Sequence, residues 1–258
     1  MDFGLKGKAA LVTGAAGGIG RAEALALALE GASVAINDLD AGRAEACAAD
    51  LRSRGATAVT AVGDVSDATA AEQVVRRAAE ALGGLDILVN NAGIAGRYVG
   101  QPAFDTAAED WDKVVEVHLR STFLCSKTAF PLMRARGGGR IVNTSSIMFT
   151  GGGRRGAASY AAAKAGIVGF TRTYAKEVGP FGITVNAIAP GYVDTELLSH
   201  FSPEKRAVIT TQNPLGRFCR VDEVGALVAF LCSAQAAYIN GATIGIDGGK
   251  RDYHWGDL

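Results

Sequence analysis

The sequence predicts an α/β fold: one doubly wound domain built on a parallel sheet. Three observations predict it. Short runs of aliphatic and β-branched residues alternate with longer stretches of helical period; the short runs are apolar almost throughout; and a glycine-rich turn stands at the first strand-to-helix junction. Strands that are each followed by a helix run parallel through right-handed crossovers, and continuous apolar character is what burial on both faces requires.

The elements follow in order. "KAALVTG" reads as the first strand and "GIGRAEALALALEG" as the first helix, followed by "ASVAIND" and "AGRAEACAADLRSRG" as the second pair. "TAVTAVGD" with "DATAAEQVVRRAAEALG", then "LDILVNNAG" with the long "DWDKVVEVHLRSTFLCSKTAFPLMRAR", continue the alternation. "GRIVNTSS", "AASYAAAKAGIVGFTRTYAKEVG" and "ITVNAIAPG" complete it up to about residue 190, before the helix "VDEVGALVAFLCSA" and the last strand "ATIGIDGG". No linker or low-complexity tract interrupts the pattern, so residues 1–258 are expected to form a single domain. The less periodic stretch at 192–213 reads as a segment covering a substrate site.

Composition narrows the function. Lys and Arg total 26, as do Asp and Glu, and a formal net charge of zero offers no field to draw nucleic acid or an anionic membrane. Small-molecule ligands are the expected partners. Cys47, Cys125, Cys219 and Cys232 lie far apart, which suits reduced thiols in a cytoplasmic protein. The opening "MDFGLKGKAALVTG" lacks the apolar core of a signal peptide, and no run is long enough to span a bilayer, so a cytoplasmic location is expected. His118, His200 and His254 show no ligand spacing, and no metal is expected.

The turn "TGAAGGIG" places Gly14, Gly18, Ile19 and Gly20 where a pyrophosphate can approach backbone N–H groups at the positive end of a helix. Packing of the helix on the sheet is the other use of such a turn. Asp38 ends the second strand eighteen residues after Gly20, near the spacing of a carboxylate that binds an adenosine ribose. No Arg or Lys stands among residues 15–19 or directly after Asp38, so NAD is expected over NADP. Within "SYAAAKAG", Tyr160 and Lys164 share a helix face. An ammonium beside the phenol is expected to lower a pKa ordinarily about 10 and to make Tyr160 an acid and base for a hydroxyl or carbonyl.

The ordered set "TGAAGGIG", "DV" at Asp64 and Val65, "NNAG" at 90–93, "NTSS" at 143–146, "YAAAK" and "PGYVDT" at 190–195, continuing to "NPLGRF" and "IDGG", resembles the short-chain dehydrogenase/reductase family over nearly the whole chain. The resemblance implies a Rossmann-type seven-stranded parallel sheet flanked by helices on both faces, and a homotetramer. It also implies that Ser146 binds the substrate oxygen, Tyr160 exchanges the proton, and Lys164 holds the nicotinamide ribose while lowering the phenol pKa. Asp64 and Val65 would border adenine. Asn90, Asn91, Ala92 and Gly93 would line the cleft, and Pro190, Gly191, Val193 and Thr195 would position the carboxamide. The implied function is an NAD-dependent secondary alcohol dehydrogenase or ketone reductase. The alternatives are an NADPH-dependent reductase of 3-oxoacyl thioesters and a non-catalytic dinucleotide sensor of the same fold.

Two departures from the family pattern stand out. His118 occupies the place of an asparagine that helps hold a water in the family's proton relay. It is read either as a relay member or as a neutral ring serving local backbone groups. Ser146 and Tyr160 stand fourteen positions apart, one more than is common, and the intervening loop carries Arg154 and Arg155. These are read as solvated rim residues or as a grip for an anionic substrate. The cluster Tyr253, His254 and Trp255 reads as a tail near a subunit interface or as a frayed end.

Overall fold

The computed structural model describes residues 2–95, 98–150, 155–198 and 201–250. Seven strands form one parallel sheet: β1 Ala9–Val12, β2 Ser33–Ile36, β3 Ala58–Thr60, β4 Ile87–Asn90, β5 Gly139–Thr144, β6 Ile183–Pro190 and β7 Thr243–Ile246. The helices between and after them are α1 Gly18–Leu29, α2 Ala41–Ser53, α3 Ala68–Leu82, α4 Ala108–Val115, α5 Ser121–Ala135, α6 Ala158–Val178, α7 Pro203–Thr211 and α8 Val221–Cys232. The strand order is β3-β2-β1-β4-β5-β6-β7, so the chain reverses direction across the sheet between β1 and β4. A crevice opens there, at the carboxyl ends of the strands.

Side chains alternate across the sheet, and each face has its own core. Ala10, Val12, Val34 and Ile36 point to the side covered by α1, α2 and α8, where they meet Leu27, Leu51 and Val228. Leu11 and Ala35 point to the other side, against Val74 and Val75 of α3 and Met133 of α5. Both faces are therefore apolar, the condition that the continuous strand runs predicted.

Local signals mark several helix ends. Asp40 Oδ1 accepts the backbone N–H of Arg43 at 3.0 Å to start α2, and Asp67 Oδ1 accepts that of Ala70 at 2.8 Å to start α3. Gly83, with φ of 72°, closes α3 in the left-handed conformation. Two close approaches then position the site. A Cβ on Gly225 of α8 would stand 2.6 Å from Ala22 O, so the absence of a side chain lets α8 press on α1 and seal its inner face. A Cβ on Gly166 of α6 would meet Leu119 at 2.7 Å, which holds α6 against residues 116–120.

The long helix expected at 110–136 is divided. Between α4 and α5 the backbone widens into one π turn over Glu116–Arg120, and His118 lies in it. Such a turn displaces side chains around the helix axis and is frequent at functional sites.

Candidate active site

A cleft of about 620 Å³ lies at the carboxyl end of the sheet, with the glycine turn at one end and α6 at the other. Gly14, Gly17, Gly18, Ile19 and Gly20 line the first end. Gly14 has φ of 61°, and a Cβ on it would stand 2.9 Å from Ala92 Cα. A Cβ on Gly20 would lie 2.4 Å from Gly14 O and 2.5 Å from Asn91 Nδ2. The turn is thus too tight for a side chain at Gly14 or Gly20, and Asn91 holds it by donating through Nδ2 to Thr13 O and Gly14 O at 3.0 and 3.1 Å. Gly17 starts α1 with no side-chain cap, and the first turn carries no acidic residue. Free N–H groups at the positive end of a helix suit a pyrophosphate, so the residues present fit a dinucleotide.

Asp38 lines the same end, accepting through Oδ2 from Ala16 N at 3.2 Å and through Oδ1 from Asp40 N at 3.2 Å. Beside it stands Arg43, whose guanidinium reaches over the turn until a Cβ on Gly17 would be 2.6 Å from Nη2. Sequence reasoning missed this cation because it searched only the glycine loop and the residue after Asp38. The signal was present: Arg43 falls in the first turn of α2, where side chains lean back toward the preceding loop.

At the other end, Ser146, Tyr160, Lys164 and His118 converge. Ser146 stands near enough to the Tyr160 phenol to pull its pKa down, whereas Ser145 turns away and donates to Lys164 O at 2.9 Å. The geometry thus selects Ser146 of the two as the serine facing the phenol. Lys164 Nζ lies 5.5 Å from the Tyr160 ring centroid and donates to Thr144 O at 2.7 Å. Burial lowers its pKa to about 7, with Glu23 opposing the shift. The expected depression of the phenol pKa is not what this arrangement produces. Burial pushes Tyr160 upward, and only the Ser146 hydrogen bond pulls it down. The physical reason is that Lys164 directs its ammonium at the Thr144 carbonyl, 5.5 Å from the Tyr160 ring centroid.

The His118 ring packs edge-on against Tyr160, with centroids 5.1 Å apart. Its Nε2 stands 3.1 Å from Ile94 N and 2.9 Å from Ile94 O, while Nδ1 is buried with no partner. Burial, reinforced by the Lys164 charge, lowers the imidazole pKa to about 3, so the ring is neutral at pH 7. A Cβ on Gly93 would stand 2.5 Å from its Cε1, so that glycine is required for the ring to fit.

Comparison with known proteins supplies the family. A family model described as "Enoyl-(Acyl carrier protein) reductase" matches residues 14–251. The chain is 43% identical over 242 residues to a cis-4-hydroxycyclohexanecarboxylate dehydrogenase of Sinomonas cyclohexanicum, covering 94% of this chain and 96% of that one. It is 38% identical over 243 residues to the 3-oxoacyl-(acyl-carrier-protein) reductase FabG of Staphylococcus aureus, covering 94% and 97%. A dehydrogenase/reductase from Sinorhizobium meliloti superposes with a TM-score of 0.90 at 37% identity, over 96% of this chain and 97% of that one. The chain belongs to the short-chain dehydrogenase/reductase family. As a short-chain dehydrogenase/reductase it is an oxidoreductase that acts on CH–OH groups with a nicotinamide cofactor.

Within this short-chain dehydrogenase/reductase, Asn91, Gly93, Pro190, Gly191 and Thr195 also line the cleft. Asp64, Val65, Ala92 and Val193 are not among its lining residues. The Asp64 carboxylate accepts from Ser66 N and Oγ, Val65 is 5% exposed, Ala92 N donates to Thr13 Oγ1, and Val193 pairs with Cys219. Asn90 turns inward to Asn143 Oδ1 and Ser126 Oγ, at 2.8 and 3.1 Å. Besides Gly17 and Arg43, sequence reasoning missed Thr144 in the lining; Ile94 and Ala95 come from the 94–104 stretch that it expected to help shape the pocket. The 192–213 segment contributes Thr195 and Glu196, and Glu196 stands 4.0 Å from Arg43. Arg155 is exposed, and its loop is tied to the 98–102 region by the Gly100 N to Gly156 O bond of 2.7 Å. Arg154, His200 and the Tyr253, His254 and Trp255 cluster lie outside the described residues.

Proposed function

We propose that this oxidoreductase is an NAD(H)-dependent enzyme interconverting a secondary alcohol and a ketone. One observation carries the reading: Ser146, the Tyr160 phenol and the Lys164 ammonium meet in the same cleft as an uncapped, glycine-lined helix N-terminus. When bound, the nicotinamide accepts or supplies the hydride. The protein's own residues do the rest. Ser146 orients the substrate oxygen, Tyr160 takes the hydroxyl proton in oxidation and returns it in reduction, and Lys164 holds the nicotinamide ribose. Gly14, Gly18, Ile19 and Gly20 cradle the pyrophosphate, and Asp38 accepts from the adenosine ribose. Asn91, Gly93, Pro190, Gly191 and Thr195 border the nucleotide, with Ala92 and Val193 behind this lining and Asp64 and Val65 behind adenine. His118 is neutral and bonded to Ile94 through Nε2, so a relay through it would take up a proton at one ring nitrogen as the other nitrogen releases its own.

The test is NADH formation from NAD across neutral and acidic secondary alcohols, with Tyr160→Phe in parallel. Turnover in the wild type and its loss in the variant would support the reading. NADH binding without turnover of any alcohol would shift it to a dinucleotide sensor. The name of the Sinomonas relative recommends alicyclic hydroxy acids for the panel. Arg155 is proposed as the group that grips their carboxylate; Arg155→Ala should raise KM for an acid and spare a neutral alcohol.

A second reading, an NADPH-dependent 3-oxoacyl thioester reductase, is favoured by Arg43 at the Asp38 end and by the FabG relatives. Comparing NADH with NADPH affinity separates the two readings. A homotetramer is the proposed assembly, checked by light scattering. A cytoplasmic location is proposed, in keeping with the free thiols of Cys47, Cys125, Cys219 and Cys232; among the described residues no helix is long and apolar enough to cross a membrane.

A further inference from the structure

On the inner face of α1, one turn beyond the glycine cradle, Glu23 is fully buried at 0% exposure. Its Oε1 accepts from Thr144 Oγ1 at a long 3.4 Å, and its Oε2 has no hydrogen-bond partner. A carboxyl buried on one weak hydrogen bond is costly, and an aliphatic side chain would pack the same space without that cost. Packing therefore does not account for it. What it faces does. Thr144 directs its hydroxyl at Glu23 and its carbonyl oxygen at Lys164 Nζ, so one residue joins the buried acid to the buried base.

The surroundings leave few other charges to consider. Arg21, on the same helix, is turned outward to Asp50. Cys232 of α8 stays a neutral thiol because burial raises its pKa, Glu23 adding to the shift and Arg140 of β5 opposing it. Tyr160 and His118 meet Lys164 from the cleft side, the phenol shifted up and the imidazole neutral. Burial disfavours charge on Glu23 and Lys164 alike, and each favours the other's charged form.

We propose that Glu23 is a positioning residue that, through Thr144, keeps Lys164 charged and aligned toward the cleft. The inference rests on the reading of Lys164 as the residue that holds the nicotinamide ribose. Removing the carboxyl while keeping its shape leaves burial unopposed at Lys164, so the ammonium discharges at lower pH.

The experiment is a pH titration of NADH affinity by fluorescence, from mildly acidic to alkaline pH, for wild type and Glu23→Gln. The alkaline midpoint of affinity should move about one pH unit toward acid in the variant, the order expected for loss of one nearby buried charge. The alkaline limb of kcat/KM should move with it, and thermal stability should not fall in step. Glu23→Leu should show the same shift and serves if the glutamine variant folds poorly. In a Lys164→Met background Glu23→Gln should shift nothing. Superimposable titrations for wild type and both Glu23 variants, or a wild type with no alkaline midpoint, would overturn the proposal. Because binding is read apart from turnover, wild-type NADH binding without catalysis defeats the dehydrogenase reading and still leaves the role of Glu23 measurable.

Discussion

The two ends of the cleft hold their charges in opposite ways. At the glycine end, Asp38 and Arg43 stand at the surface; the Arg43 side chain is 58% exposed and stands 4.0 Å from Glu196. At the α6 end, Glu23, Lys164 and His118 are exposed by 3% or less. Exposed charges act by where they are, screened by water and salt, and cost little to keep. Buried charges act through what burial does to their ionisation, and each depends on its neighbours. Recognition at the outer end should therefore change in small independent steps, whereas chemistry at the inner end should fail as a unit.

The largest effect that this contrast predicts is at the inner end. Tyr160→Phe should reduce kcat/KM about a hundredfold to ten-thousandfold, the usual contribution of a positioned acid or base, with NADH affinity nearly unchanged. Comparable loss of affinity and turnover would break the division between the two ends. Gly20→Ala comes next, because its Cβ would collide with Gly14 O and Asn91 Nδ2. It should lower stability by about 1–3 kcal/mol and weaken NADH binding, both measured in one thermal-shift series with and without cofactor.

A smaller effect sharpens the role of burial. His118 has a folded-state pKa lowered to about 3, so between about 6.5 and 3 the unfolded chain takes up a proton that the folded protein refuses. The stability this contributes is present above about pH 6.5 and is lost as pH falls toward 3, by up to ~1.4 kcal/mol per pH unit. His118→Asn should flatten the acid side of the stability profile by about one proton; an unchanged slope would mean that the ring is protonated in the folded state. The smallest effects belong to the outer end. Asp38→Asn should weaken NADH binding about tenfold, the loss of one charge-assisted hydrogen bond. Arg43→Ala should change NADH affinity by no more than about twofold, as for other exposed charges. A large loss of NADPH affinity in Arg43→Ala would favour the thioester reductase reading.

The elements and their order were legible because each follows from residues close in sequence. Alternating apolar runs mark the strands, Asp40 and Asp67 cap helices, and Gly83 ends one. The spacing of Tyr160 and Lys164 on one helix face was readable for the same reason. The π turn was not, because the widening at Glu116–Arg120 leaves no periodic mark in a segment that reads as one helix throughout.

What the sequence by itself determined is the doubly wound sheet, the tight glycine turn and the helix face shared by Tyr160 and Lys164, all consequences of local geometry and hydrophobic period. Only the tertiary structure decided their ionisation and their neighbours: that Lys164 points at Thr144, that Glu23 lies buried beyond it, and that Arg43 reaches over the glycine turn. Those facts depend on burial and on contacts between distant segments, and both arise when the chain packs.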